Sequence, residues 1–264
     1  MATYNLSQQQ LYGAGILNSF EIPVGGGGGG FSNVYSLDFD GTDDHLKGGS
    51  NFTSLNGLEK ATFSFWIKPI SDATTLRFLF NIGRSSTALD SQVEMWLYEG
   101  GRIQADINTS SRFIRGDISS ITYGSWNHIA LVLNGGASSN VNKGKIYVNG
   151  VNETTSQNLS SFSTFPNASD PLFIGESSTG HYNPFLGNID EMAIWVGGEL
   201  SASDISTLYN SGTPTDLSSF STPPTHWWRN GDGDTYPTIT DQIGSYNLTM
   251  TNMASGDIET DVPT

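Results

Sequence analysis

The chain has 264 residues, of which 26 are acidic and 11 are basic, so its formal net charge is −15, and it contains no cysteine. This balance disfavours sequence-independent nucleic-acid binding, which needs clustered Lys and Arg, and it disfavours anionic membrane surfaces. The lack of cysteine excludes disulfides, thiolate metal ligands and cysteine nucleophiles. Hydrophobic residues make up 36% of the chain, enough for a core, while 31 glycines and 10 prolines indicate frequent turns.

The N-terminal part is set apart from the rest by a run of six glycines, Gly25–Gly30. We interpret residues 1–30 as an anchor segment followed by a polyglycine linker, and residues 31–264 as one β-rich domain. The glycines would also let several chains pack backbone to backbone, and we expect a homo-oligomer. The first ten residues show neither the basic start nor the apolar run of a secretion signal.

Alternating and apolar segments beyond residue 31 predict strands separated by turns. Thr62–Lys68 alternates, with Phe63, Phe65 and Ile67 on one face and polar residues and Trp66 on the other. Further strands are predicted at Val93–Tyr98, Arg102–Ile107, Trp126–Leu133, Pro171–Gly175 and Asn188–Trp195, and Lys145–Val151 is predicted to be part of a hairpin. The glycine pair after Tyr98 and the Asn149-Gly150 pair predict hairpin turns.

A single short helix is predicted at residues 201–211. Ser201 is its N-cap, and Asp204 lies at the third helical position. Ile205, Leu208 and Tyr209 form its apolar stripe, and a glycine follows at position 212. Because the helix is too short to be stable alone, we expect it to pack on the strands.

Several of these segments resemble the laminin-G-like branch of the concanavalin A-like jelly rolls. The resemblance is carried by Leu37-Asp-Phe-Asp-Gly41, by Phe63–Pro69 and by Phe185–Trp195 with the helix behind it. It implies an all-β jelly-roll sandwich, in a family that mostly binds glycans or proteins and mostly performs no chemistry.

The C-terminal segment is similar to the part of that family which usually precedes the Phe-Asp-Gly strand. Here the matching stretches, His226–Asp241 and Tyr246–Met250, follow the helix instead. We interpret the domain as circularly permuted, with residues 222–264 completing the sandwich. The alternative is that these residues begin a truncated second repeat.

The carboxylate pattern argues against an enzyme. Retaining glycosidases need two carboxylates about 5–5.5 Å apart, and the resemblance implies that they lie at alternate positions of one strand. Asp190 and Glu191 are adjacent, and Glu94 and Glu99 are five apart, so each pair falls on opposite faces. No Gly-x-Ser-x-Gly nucleophile motif is present. We expect a non-enzymatic protein, and a glycosidase with a displaced carboxylate pair is the least favoured alternative.

Calcium is the one cofactor that the sequence leaves open. Asp232, Asp234 and Asp43 lie in Asp- and Gly-rich stretches, and calcium takes six to eight oxygen ligands from such loops. Neither stretch has the full EF-hand pattern, and Asp and Gly are also ordinary turn residues. For Asp190 the resemblance implies a structural carboxylate that accepts backbone hydrogen bonds, with a calcium ligand as the alternative.

Exposed aromatic rings beside amides and carboxylates are the groups that sugars need. Trp66 lies on the polar face of its predicted strand, and Trp96 and Tyr98 share a face with a glutamate. His181 and Tyr182 belong to a predicted loop. These five residues are the candidate glycan ligands. The alternative is that each tryptophan covers the core or supports a neighbouring sheet.

The chain is also similar to the laminin-G-like structural proteins of marine bacteriophages. A jelly roll displayed outside cells without a secretion signal is typical of a virion protein, which host lysis releases. We therefore expect a capsid decoration or tail fibre component that attaches to other virion proteins through residues 1–30 and presents the jelly roll to glycans. The alternative is a bacterial carbohydrate-binding module, secreted by a route without an N-terminal signal.

Overall fold

The structure is a computed structural model that describes residues 31–71, 76–83, 92–98, 100–177 and 183–264. Within this part of the chain, Asn33–Thr264 form one compact unit. Its strands are β1 (Ser36–Asp40), β2 (His45–Gly48), β3 (Lys60–Pro69), β4 (Leu76–Ile82), β5 (Val93–Tyr98), β6 (Arg102–Ile107), β7 (Thr109–Arg115), β8 (Asn127–Asn134), β9 (Gly144–Val148), β10 (Val151–Asn152), β11 (Ser156–Gln157), β12 (Leu172–Ile174), β13 (Leu186–Val196), β14 (His226–Trp228), β15 (Thr238–Ile239), β16 (Leu248–Thr251) and β17 (Ile258–Glu259). The α-helix α1 spans Ala202–Tyr209, and short 3₁₀ turns lie at Thr53–Leu55, Asn140–Asn142, Asn210–Gly212 and Ser255–Asp257.

The described strands form two antiparallel sheets. The first sheet has the order β10-β9-β8-β3-β13-β1-β17, with β14 also paired to β13. The second sheet has the order β11-β7-β6-β5-β4-β12-β2-β16-β15. Neighbouring strands in space are mostly distant in sequence, as in a jelly roll. The predicted all-β sandwich is confirmed.

The core lies between the two sheets, and the alternation of β3 shows how the sequence builds it. Phe63, Phe65 and Ile67 are at most 1% exposed and belong to the core. The ring of Phe63 stacks on that of Phe80 in β4, with 5.1 Å between centroids, so the pair joins the two sheets. Such aromatic pairs contribute about 0.5–1.5 kcal/mol beyond the burial of their area.

The C-terminal segment supplies strands to both sheets. β14 pairs with β13 and β17 with β1 in the first sheet, while β16 pairs with β2 in the second. Trp228 of β14 is fully buried in the core. The C-terminal segment thus contributes paired strands to the same sandwich as the rest of the domain. Circular permutation stays our interpretation of how this order of segments along the chain arose.

Helix α1 covers part of the outer face of the first sheet. Ser201, the predicted N-cap, forms a capping box with Asp204: the Ser201 hydroxyl accepts from the Asp204 amide at 3.2 Å, and the Asp204 carboxylate accepts from the Ser201 amide at 2.9 Å. The helix ends before Asn210, whose φ is +43°. Tyr209 packs against Trp66 of β3. Nowhere in the described chain is a helix both long and apolar enough to cross a membrane.

Candidate functional site

The fold brings a group of aromatic and polar side chains together on the outer face of the second sheet. The alternation of β5 directs Val93, Met95 and Leu97 into the core, so the side chains between them point outward. Glu94, Trp96 and Tyr98 therefore lie in one row, as the sequence predicted. We call the outward residues of β4 to β7 the outer face of the second sheet.

Three aromatic rings on this face, from β4 and β5, pack together. The Trp96 and Tyr98 rings are nearly parallel, at 10°, with centroids 5.9 Å apart. Phe78 of β4 packs against Trp96 with 5.1 Å between centroids. Trp96 and Tyr98 are half-buried, and the indole Nε1 of Trp96 is buried with no hydrogen-bond partner among the described residues. The stacked pair thus presents half-buried apolar ring surface on this face.

Polar side chains flank the rings on three neighbouring strands. Asn81, Glu94, Gln104 and Asp106 are all between 0% and 3% exposed. The Asn81 amide donates to Glu94 at 3.2 Å, and the Gln104 amide donates to Asp106 at 2.7 Å. The Arg115 Nε donates to Gln104 at 2.6 Å. Amides and carboxylates are thereby fixed in one buried hydrogen-bonded row beside the aromatic rings.

The structure also brings together a carboxylate pair that the sequence analysis missed. Glu94 of β5 and Asp106 of β6 are directly opposite each other across the hairpin. The search for a pair along one strand could not find them, because the two residues lie on different strands. The signal was present: a hairpin centred on Gly100 sets Tyr98 opposite Arg102, and this register also pairs Glu94 with Asp106.

Trp66 is not an exposed platform. It lies on the outer face of the first sheet, as the alternation predicted, but only 3% of it is exposed. Its ring packs against Tyr209 at 5.9 Å and His128 at 5.1 Å between centroids. One edge borders a groove of about 420 Å³ that Trp126 also lines. Tyr209 of helix α1 packs over the Trp66 ring, as the alternative of a supporting tryptophan expected, and a role of Trp66 in glycan binding stays a prediction.

The two predicted loop ligands, His181 and Tyr182, lie outside the described residues. The structure therefore does not place them relative to the outer face of the second sheet, and their role stays a prediction.

Three of the four calcium candidates hold hydrogen bonds within the protein. Asp232 accepts from the amides of Val34 and Tyr35, at 2.9 and 3.3 Å, through one oxygen. Asp234 accepts from two backbone amides at 2.9 and 2.7 Å. Asp190 is fully buried and accepts from the Asn33 amide at 2.7 Å and the Glu191 backbone at 2.8 Å. Their carboxylates close turns and link distant segments, which is the kind of role that the resemblance implies for Asp190.

The fourth candidate, Asp43, lies in a group of acidic residues. Oxygens of Asp40, Asp43 and Asp44 come within 4.8 Å of one another. Asp40 accepts from the amide of Thr42 at 2.7 Å, and Asp44 accepts from the amide of Asp40 at 3.0 Å. Burial raises the pKa of Asp44 to about 6. The turn between β1 and β2 explains this grouping by itself, so calcium at Asp43 stays a prediction.

A serine, a histidine and an aspartate also line up near β14. The His226 Nδ1 lies 2.6 Å from Asp241, and the Ser54 hydroxyl lies 3.3 Å from the His226 Nε2. However, Asp241 also accepts from the amides of Trp227, Gly244 and Tyr246 at 2.9–3.1 Å, so it closes the turn after β15. His226 is 7% exposed and stacks on Trp228 at 5.6 Å. Ser54, His226 and Asp241 therefore hold the C-terminal segment in place, and we do not interpret them as a catalytic triad.

The fold and the sequence together define the family. The profile of the concanavalin A-like lectin/glucanases superfamily, in its laminin-G type, matches residues 40–206, which is more than half of the chain. The chain belongs to this superfamily, as the resemblance implied. No curated protein sequence matches the chain.

Two solved structures illustrate the similarity of fold. A native heptameric SAP-like pentraxin from Limulus polyphemus is 17% identical, with a TM-score of 0.55, and the match covers 84% of this chain and 98% of the pentraxin. A proposed carbohydrate binding protein from Bacteroides ovatus is also 17% identical, with a TM-score of 0.63. That match covers 88% of this chain and 62% of the Bacteroides protein. At these identities the similarity establishes the sandwich and nothing finer.

Proposed function

We propose that this protein is a non-enzymatic glycan-binding module and that the outer face of the second sheet is its binding surface. The observation that carries the proposal is the parallel pair of Trp96 and Tyr98 beside the buried polar row of Glu94 and Gln104. The CH-rich face of a sugar ring stacks on aromatic rings, while its hydroxyls need fixed donors and acceptors. The proposed carbohydrate-binding relative from Bacteroides ovatus shares the fold, and the aromatic row gives the reason specific to this chain.

A glycan array probed with a multimeric form of the protein tests this proposal. We expect weak single-site binding that multivalent display strengthens, because linked sites add about 10²–10⁴ in apparent affinity. Trp96→Ala should reduce binding at least tenfold, whereas Trp126→Ala should not. Trp126 is the matched control, since it is also a half-buried tryptophan but borders a groove on the first sheet. Equal loss in both variants, or no bound glycan for the unmodified protein, would contradict the proposal.

We further propose that the module is displayed as a capsid decoration or tail fibre component of a bacteriophage virion. What supports this is the sequence: the separate segment 1–24, the glycine run behind it, and the resemblance to laminin-G-like phage structural proteins. Residues 1–30 would join the module to other virion proteins. Mass spectrometry of purified particles tests the placement. Absence of the chain from intact particles would favour the secreted carbohydrate-binding module instead.

One observation favours a second candidate function, a glycoside hydrolase with a displaced carboxylate pair. Glu94 and Asp106 face each other on neighbouring strands within the proposed binding surface. Hydrolysis of β-glucans by the unmodified protein, abolished by Glu94→Gln and by Asp106→Asn, would establish the activity. Binding without release of reducing ends would leave the non-enzymatic function.

A further inference from the structure

A groove of about 360 Å³ adjoins the outer face of the second sheet, and two arginines line it. Arg102 begins β6 and Arg115 ends β7, and both lie on the outward side of their strands. The groove is completed by residues 116–118 and 154–156. It is continuous with the aromatic pair, because Arg102 is the register partner of Tyr98 and its guanidinium carbon lies 5.5 Å from the Tyr98 ring centroid.

The hydrogen bonding of both guanidinium groups is incomplete. Arg115 donates from Nε to the neutral amide of Gln104, at 2.6 Å, and its guanidinium lies over Phe113, at 4.1 Å. The Nε of Arg102 is buried and has no hydrogen-bond partner within the described residues. A guanidinium carries five donors, so each of these groups retains donors for a ligand.

These arginines differ from other cations of this acidic chain. Lys60 pairs with Glu199 at 2.9 Å, and Arg229 pairs with Glu191 at 3.0 Å. By contrast, neither Arg102 nor Arg115 forms an ion pair with any carboxylate in the described ranges, although the chain carries 26 acidic residues and Asp117 lines the same groove. Two unpaired guanidinium groups at one groove are the arrangement that binds carboxylate or sulfate through paired hydrogen bonds.

We propose that the groove binds the acidic group of an anionic glycan, so that the ligands of this module are carboxylated or sulfated polysaccharides. The sugar ring rests on Tyr98 and Trp96, and its carboxylate or sulfate enters the groove between Arg102 and Arg115. This inference rests on the proposed glycan binding by the same sheet. It adds the chemical class of the ligand.

Isothermal titration with three oligosaccharides tests the inference: oligogalacturonate, its carboxyl-reduced neutral counterpart, and a sulfated galactan oligosaccharide. Tighter binding of either acidic chain than of the neutral chain supports the proposal. If only one acidic chain binds, that result shows whether the groove accepts a carboxylate or a sulfate. Arg102→Gln and Arg115→Gln should each weaken binding of the acidic chain at least tenfold and leave any binding of the neutral chain unchanged. Arg102→Lys should recover only part of the loss, because an ammonium lacks the planar fork.

Arg112→Gln is the matched control. Arg112 lies on β7 as well, three residues before Arg115, and its Nε donates to the Ser161 hydroxyl at 2.8 Å. The Arg112→Gln substitution removes the same charge from the same strand. An equal loss of binding in this variant would show that the net charge of the protein, and not the groove, attracts the acidic chain, and it would overturn the proposal. Melting temperatures of all variants show whether each still folds.

The outcomes separate this inference from the proposed function. Binding that needs Trp96 but neither arginine, with no preference for the acidic chain, would overturn the inference and keep the glycan-binding module. Binding that needs both arginines but not Trp96 would keep the anionic site and remove the aromatic platform. No binding of any of the three oligosaccharides, and none on the glycan array, would overturn both.

Discussion

The indole of Trp66 stacks on the ring of Tyr209, with 5.9 Å between centroids and 29° between planes. This contact attaches helix α1 to the outer face of the first sheet. The alternation of residues along the two strands does not distinguish Trp66 from Trp96, since each is a tryptophan on the outward side of its strand. The structure separates them, because a helix covers one and leaves the other half-buried.

The first prediction follows from that separation. Trp66→Ala should destabilise the fold by about 3–5 kcal/mol, because it empties a buried site beneath the helix. For a domain of this size, the melting temperature should fall on the order of 10 °C. Trp96→Ala should shift the melting temperature much less and act on glycan binding instead. Thermal unfolding of both variants checks this, and the reverse ranking would contradict the assignment of the two faces.

The second prediction concerns Glu191, which is 4% exposed and follows the fully buried Asp190 at a bulge in β13. Burial raises the pKa of Glu191 to about 7, although the nearby Arg229 lowers it. The folded state therefore holds a proton that the unfolded state releases near pH 4.5. The contribution of Glu191 to the free energy of unfolding is fully present below pH 4.5 and is lost as the pH rises through 7. The loss is roughly 1.4 kcal/mol for each unit by which the folded pKa exceeds the unfolded pKa.

Urea unfolding between pH 5 and pH 8 measures this effect. The free energy of unfolding should decline across the range for the unmodified protein and decline less for Glu191→Gln. Glu199→Gln is the control, because Glu199 is exposed and pairs with Lys60 at the surface. An unchanged slope in Glu191→Gln would show that another group causes the decline.

The third prediction concerns His128, which is buried beneath α1 beside Ser64. Its Nε2 lies 2.8 Å from the Ser64 hydroxyl, and its Nδ1 is buried with no partner among the described residues. Burial lowers the pKa of His128 to about 3. Stability from this neutral histidine is present above the unfolded pKa of 6.5 and is lost as the pH falls towards 3.

The Glu191→Gln background separates this loss from the opposite effect of the glutamate. The buried Asp190 and Asp44, whose pKa values burial raises, act in the opposite sense and are present in both variants. Adding His128→Gln to that background should therefore raise the free energy of unfolding at pH 4 relative to its value at pH 6.5. Ser64→Ala removes the hydrogen bond but keeps the titrating ring, so it should lower stability without removing the pH dependence. Protonation of His128 above pH 5, seen by NMR, would contradict the prediction.

The fourth prediction concerns Asp232, a calcium candidate whose carboxylate accepts from the backbone amides of Val34 and Tyr35 and from the Arg229 guanidinium. Asp232→Ala leaves these donors without their acceptor, so it should cost about 1–3 kcal/mol even in the presence of a chelator. Asp43→Ala, in the turn between β1 and β2, is the comparison. A melting temperature that rises with millimolar calcium only while Asp232 is present would instead support a bound ion.

The fold was predictable because its signals are local and repeated. Alternation in β3 gave the inward phenylalanines, and Asn149-Gly150 gave a turn that the structure confirms with φ values of +50° and +76°. Ser201 gave the N-cap of α1. Each signal involves residues within a few positions of one another, so one sequence was sufficient.

The candidate site was less predictable because it depends on pairings between distant segments. The row Glu94–Trp96–Tyr98 follows from one strand and was found. The facing pair Glu94 and Asp106 needed the register of a hairpin, and the arginine groove needed residues from β6, β7 and the segment before β11. The burial of Trp66 needed the docking of a helix about 140 positions later in the chain.

The last prediction tests whether residues 222–264 complete the sandwich. A chain that ends at Ser219 loses β14 to β17, including Trp228, which is fully buried in the core. It would expose β2 of the second sheet, which pairs with β16, and the edge of β1 that pairs with β17. Unpaired edges and an emptied core position should leave the chain unfolded or aggregated at a temperature where the full protein is folded.

A chain that ends at Pro263 is the matched control, because it keeps every described strand. Adding residues 220–264 as a separate peptide should restore cooperative unfolding to the truncated chain, since the missing strands can pair without being covalently joined. Circular dichroism and melting temperature measure both effects. Unchanged melting behaviour after truncation at Ser219 would contradict the completed sandwich and favour a broken second repeat, because a second repeat would add its own strands without holding the first domain together.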